Sequence, residues 1–209
     1  MQFTIQRNQL RALLNFAATK DFRFYLKGIH VRQDHRGTII EATDGHALGM
    51  LRIDDKPQPV GSCIMPTESV KALLGSRKDG HQSLEFHVDG LNVTASGCNT
   101  VMTFQRLDGT FPDTARVTPK DSPEDGAAQF DVDLLVKFQQ CVKDLDINKA
   151  GHFGLRHRGA TNSALVDIGD ANFVGVIMPM RQDVPAAIPP AWVHMSDLPK
   201  VTLPEAVAA

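Results

Sequence analysis

The sequence predicts an α+β fold built from repeated strand–helix–three-strand units with antiparallel sheets. Three features lead there. Short alternating apolar segments dominate the chain, three amphipathic helical stretches recur, and turn residues separate the strands that follow each helix. A helix laid on one face of an antiparallel sheet gives the α+β class.

In the first unit, residues 2–6 alternate as a strand. Asn8 then reads as an N-cap before Leu10, Leu13, Leu14 and Ala17, which have helical spacing. Strands are expected at Tyr25–Gln33, Thr38–Thr43 and His46–Ile53, with Asp34-His35-Arg36-Gly37 turning the first pair. The second unit opens with an apolar strand at Gly61–Met65. Pro66-Thr67 starts a helix carrying Val70, Leu73 and Leu74, and Asp79-Gly80 ends it. Strands follow at Ser83–Val88, Leu91–Ser96 and Thr100–Arg106, with Asp89-Gly90 as a hairpin turn.

A Pro/Asp/Gly-rich linker, 118–127, precedes the third unit. Gln129–Val132 reads as a strand, and Asp133 caps a helix with Leu134, Leu135, Phe138, Val142 and Leu145. Strands are expected at His152–His157, Ala164–Ile168 and Asn172–Pro179. The units share layout rather than sequence identity. A tail, 182–209, carries five prolines and the single tryptophan, Trp192, among apolar residues that need cover.

Composition excludes several classes. The apolar fraction of 42% supports a folded core. No run approaches the roughly 18 apolar residues of a membrane span. The start, Met1-Gln2-Phe3-Thr4-Ile5, reads as a strand and not as a signal peptide. Cys63, Cys98 and Cys141 are far apart and in no metal-ligand spacing, as in a reduced cytoplasmic protein. Net charge is -2, but residues 1–120 carry +3 and residues 121–209 carry -5, so attraction to nucleic acid belongs to the first part. Asp44 beside His46 has no third ligand at metal spacing and no nucleophile context. No Gly-Lys-Ser/Thr phosphate loop occurs. A non-enzyme without cofactor or metal is expected.

Four segments carry a family resemblance: Phe24-Tyr25-Leu26-Lys27-Gly28, Ala42-Thr43-Asp44-Gly45-His46-Ala47-Leu48, Asp108-Gly109-Thr110-Phe111-Pro112-Asp113 and Val176-Ile177-Met178-Pro179-Met180-Arg181. In this order they resemble the bacterial replicative sliding clamp, the beta subunit of DNA polymerase III. The resemblance implies the DNA-clamp fold. Residues 1–117 correspond to one complete clamp-like domain of two units, 128–181 to half a domain, and the family's remaining parts have no counterpart. It also implies a pocket for short peptides of polymerase, clamp loader and repair proteins, formed here by Leu26, Thr43, Gly45, His46, Leu48, Pro112, Val117, Val176, Met178, Pro179, Met180 and Arg181. Rigid Leu, Val and Pro with adaptable Met suit such ligands. Ala47 departs from the family, which carries Arg there.

Candidate contacts to the backbone of double-stranded DNA come from both sources. Helical spacing places Arg7 and Arg11 together, Lys71 and Lys78 together, and Lys137 opposite the apolar stripe of its helix. The resemblance adds Lys20, Arg23, Phe24 and Tyr25. Such contacts reach phosphates and read no sequence. Two functions follow from the resemblance. One is a processivity factor that self-associates, as in a ring, and tethers polymerase to DNA. The other is a non-encircling module that competes for clamp-binding peptides and regulates replication. The tail is expected either to occupy the pocket or to cover an apolar sheet edge.

Overall fold

A computed structural model describes residues 1–97, 99–120, 128–159 and 161–180. The tail, Arg181 and Cys98 lie outside the described residues. Among the described residues, no helix is long and apolar enough to cross a membrane.

The first unit comprises β1 (Gln2–Gln6), α1 (Arg7–Leu14), β2 (Gly28–Asp34), β3 (Gly37–Thr43) and β4 (Ala47–Asp54). The second comprises β5 (Gly61–Pro66), α2 (Thr67–Leu73), β6 (Ser83–Asp89), β7 (Asn92–Gly97) and β8 (Thr100–Gln105). The third comprises α3 (Val132–Asp144), β9 (Gly154–Arg158), β10 (Asn162–Asp167) and β11 (Phe173–Ile177). All strand pairs are antiparallel, in a four-stranded sheet β1-β6-β7-β8 and a seven-stranded sheet β5-β2-β3-β4-β11-β10-β9.

Units one and two exchange their first strands. β1 pairs with β6, and β5 pairs with β2. Unit three joins unit one through its last strand, with Ile177 opposite Ala47 and Phe173 opposite Leu51. Gly49 and Gly175 face each other at the centre of this join. A Cβ on Gly49 would lie 2.5 Å from the Phe16 ring, and one on Gly175 would lie 2.6 Å from the Phe138 ring. The bare strands let both rings lie close over the sheet, with centroids 4.9 Å apart. α1 and α3 run side by side there, tied by the Asn15 amide donating to Asp144 Oδ2 at 3.0 Å. A single core of buried apolar residues therefore extends from unit two through unit one into unit three.

The helices follow their apolar spacing. Leu10 and Leu13 of α1, Val70 and Leu73 of α2, and Phe138, Cys141 and Val142 of α3 are buried. Several boundaries differ from the sequence reading. Gln6, not Asn8, caps α1, and its amide donates to Gln9 Oε1 at 3.0 Å while Asn8 is buried. α2 stops at Leu73, before Asp79-Gly80, because Gly75 adopts φ 59°, a left-handed helix stop. Lys78 consequently sits in a separate 3-10 turn, Arg77–Asp79, and shares no helix face with Lys71.

Asp131, not Asp133, caps α3, accepting the Asp133 amide at 2.8 Å. Phe24–Leu26 forms a 3-10 turn rather than the start of a strand. That turn buries Leu26 with Ala18, Ile64 and Phe111 in a second small cluster. The expected strand Gln129–Val132 contributes only a bridge from Gln129 to Met180. First strands in this fold pair with the second strand of another unit, and among the described residues none offers that place to unit three.

Candidate functional site

The turn from β3 into β4 lies beside the end of β11, and a cavity of about 180 Å³ opens there. Its floor is apolar and fully buried: Leu26, Leu48 and Val176 are at most 3% exposed. Half-buried Met178 forms one wall, and exposed Pro112 and Val117 form the opposite one. Thr43, Gly45 and His46 complete the rim.

Local hydrogen bonds fix this rim. The Asp44 Oδ1 atom accepts the amides of His46 and Ala47, each at 2.9 Å. The Thr43 hydroxyl donates to the Ala47 carbonyl at 2.8 Å and accepts the Gly45 amide at 3.0 Å. The Met178 amide donates to the His46 carbonyl at 2.9 Å, which ties the turn to the end of β11. The Asp44 carboxylate also pairs with the Lys137 ammonium on α3.

A buried glutamate fixes the opposite wall. Glu41, 1% exposed on β3, pairs with His30 Nδ1 at 2.8 Å and Arg32 Nε at 3.4 Å. Its other oxygen accepts the Thr114 hydroxyl at 2.7 Å. His30 stacks on Phe111 with centroids 4.6 Å apart. The loop carrying Pro112 and Val117 is thus pinned to the sheet at Phe111 and at Thr114. The Ser163 hydroxyl of β10 holds the Val117 carbonyl at 2.9 Å.

Nine residues named from the sequence line this cavity: Leu26, Thr43, Gly45, His46, Leu48, Pro112, Val117, Val176 and Met178. Pro179 and Met180 do not. Met180 turns back to Gln129, donating its amide to that carbonyl at 2.8 Å, and is 41% exposed. The sequence reading missed Asp113 and Thr114 in the lining, noted Ala47 only as a departure from the family's Arg, and placed Arg23 on DNA rather than here. Asp113 and Ala47 fall inside the quoted segments. Glu41 had a signal too, as a charged residue in the otherwise uncharged Thr38-Ile39-Ile40-Glu41-Ala42-Thr43 strand.

The candidate DNA residues do not form one free basic surface. Arg7 is buried and donates to Gln82 Oε1 and Thr100 Oγ1, each at 3.1 Å, so it is not a solvent-facing phosphate contact. Arg11 is spent on the carbonyls of Leu74, Gly75 and Ser76 at 3.2–3.3 Å, which turn the end of α2. Arg23 pairs with Asp21 at 2.7 Å and holds that carboxyl down at about 2. Lys137 is committed to Asp44, and Lys71 pairs with Glu68 at 2.8 Å. Lys20 and Lys78 are exposed, Phe24 is 53% exposed, and Tyr25 is half-buried with its ring against Phe24.

Burial pushes the Asp44 carboxyl up, but the Lys137 ammonium and the Ala47 and His46 amides outweigh it, so the carboxyl ionises below its ordinary range. Its pairing therefore adds stability above the unfolded pKa, near 3.9, and loses it as pH falls through the lower folded value. Lys137→Met leaves the burial without the ammonium. Titration of the Asp44 carboxyl carbon by NMR should then move to higher pH than in the parent protein. An unmoved midpoint would remove Lys137 as the cause.

No protein-family model matches the chain. Among curated relatives, the beta sliding clamp of Salmonella typhimurium is 27% identical over 137 residues, covering 63% of this chain and 37% of that protein. The beta sliding clamp of Proteus mirabilis is 29% identical over 141 residues, covering 63% and 38%. The DNA polymerase III subunit beta of Pseudomonas aeruginosa superposes with a TM-score of 0.67 over 87% of this chain and 67% of that one, at 19% identity. The Bacillus subtilis sliding clamp gives 0.64 over 87% and 64%, at 16% identity.

This chain has the sliding-clamp fold and resembles the bacterial beta clamp in sequence. It spans well under half the length of the curated relatives it matches. The candidate cavity thus lies on a clamp fold, at the join of two units whose sheets run on into each other.

Proposed function

We propose that this chain is a clamp-like replication factor whose cavity holds short apolar peptides of polymerase and clamp-loader partners. The observation that supports it most is convergence. Four separated stretches, around residues 23–26, 43–48, 112–117 and 176–178, meet on one apolar-floored cavity with a pinned rim. Nothing in this role needs a catalytic step. A flexible thioether beside rigid Leu and Pro accommodates differing Leu and Phe side chains, each contributing about 1.5–3 kcal/mol on burial.

Met178→Ala should weaken binding of a Leu-Phe-ending peptide by about 1–3 kcal/mol. Calorimetric titration against both proteins measures this. Equal affinities would rule the cavity out as the peptide site.

The same reading includes tracking of duplex DNA by an assembly that surrounds it. The commitment of Arg7, Arg11, Arg23 and Lys137 to protein partners favours the second reading, a non-encircling module that competes for the same peptides. Retention on closed circular DNA, lost when the circle is cut, separates the two. Encirclement requires that loss.

A further inference from the structure

We propose that this chain carries its own competing ligand: Met195-Ser196-Asp197-Leu198 occupies the cavity, and an external peptide binds by displacing it. The inference rests on the reading of the cavity as a peptide site and adds the regulation of that site.

The attachment point places the segment close by. Met178 forms a wall of the cavity, and the described residues end at Met180, two positions later. The Met180 amide is held by the Gln129 carbonyl, so the chain leaves for residues 181–209 from a fixed point beside the cavity. Leu198 lies 18 residues beyond Met180. A link of that length reaches up to about 60 Å, far more than the return to Met178 requires. A ligand joined to its site in this way faces it at an effective concentration of about a millimolar. A contact too weak to persist between separate molecules is then occupied within one.

The chemistry selects this segment. Residues 191–198 are the longest proline-free run after Met180, so every backbone amide there can donate. The floor of Leu26, Leu48 and Val176 offers no side-chain donor or acceptor and takes aliphatic groups. Met195 and Leu198 supply two such groups, with the polar Ser196-Asp197 pair between them for the mouth.

The rim has a cation for that pair. The Arg23 guanidinium lies over Gly45, where a Cβ would meet Nη2 at 2.9 Å. Its Nε and Nη2 atoms serve Asp21, and among the described residues Nη1 makes no hydrogen bond. Asp197 offers that donor a carboxylate. Residues 182–209 are acidic as a whole, with Asp183, Asp197 and Glu205 against Lys200.

Met195→Asp with Leu198→Asp tests this in the full chain. Trp192 is the single tryptophan and stands three residues before Met195, so its fluorescence reports on the segment. The double variant should shift that emission to longer wavelength. It should also bind a Leu-Phe-ending peptide about tenfold or more tightly than the parent protein. Adding the peptide to the parent should produce the same emission shift. Truncation after Gln182 should tighten binding equally, covering any effect of the new charges. Equal affinity in parent, double variant and truncated chain would overturn the inference and leave the peptide site standing. Lost thermal stability with unchanged affinity would put the segment on a sheet edge instead, and overturn it too. No binding by any of the three would remove the peptide site itself, and the inference with it.

Discussion

Phe138→Ala is expected to cost about 3–5 kcal/mol of stability. Phe138 is fully buried on α3 and touches both sides of the join between units one and three. Its ring lies 4.9 Å from that of Phe16 on one side and 5.9 Å from that of Phe153 on the other. Below it sits Gly175, on the strand that carries unit three into the seven-stranded sheet.

Truncation would leave a void that the paired strands cannot close, because their backbones are held by the ladder. Urea denaturation gives the midpoint shift, and a loss below 1 kcal/mol would contradict the packing described. Gly175→Ala should also destabilise, since its Cβ would meet the Phe138 ring at 2.6 Å and the Val166 Cβ at 2.9 Å. Combined with Phe138→Ala it should cost less than the separate losses added together, because the void removes the first clash.

Glu41→Ala should cost about 1–3 kcal/mol and disable the candidate pocket as well. The carboxylate is the common acceptor for Thr114, His30 and Arg32. Its removal leaves the Thr114 hydroxyl and the His30 ring without this acceptor, while Arg32 keeps Asp34 at 3.1 Å, and releases the loop that positions Pro112 and Val117. Glu41→Gln keeps the shape and one acceptor oxygen, and should recover part of the stability. Thermal unfolding and peptide titration on both variants separate the two effects. Full peptide affinity in Glu41→Ala would show that the wall does not depend on this anchor.

The extent to which the site was legible varies with the kind of residue. Leu26, Leu48, Val176 and Met178 stand in short segments whose order along the chain carries a family resemblance, and the structure brings them to one cavity. Met180 stands in the same segment but leaves the cavity, because its amide is drawn to Gln129, 51 residues earlier. The basic residues were least legible. Helical spacing tells which face Arg7 occupies, but its burial is set by Gln82 and Thr100, 75 and 93 residues away. A free cation and a structural one look alike in sequence.

Local chemistry determined the repeated units. Period-two and helical patterning, with Gly and Asp at the turns, specify strands and helices through interactions within a few residues. The α+β class follows from their alternation, and the three helices and the strands after them lie close to their expected places. Tertiary structure alone decided the exchange of β1 and β5, the pairing of β4 with β11, and the capture of Glu41 by three partners. The physical reason is that an edge strand offers the same row of amides and carbonyls to any partner. Which strand takes it depends on the side chains that the pairing buries, here Phe16 and Phe138 over two glycines, and those meet only when distant parts of the chain are packed together.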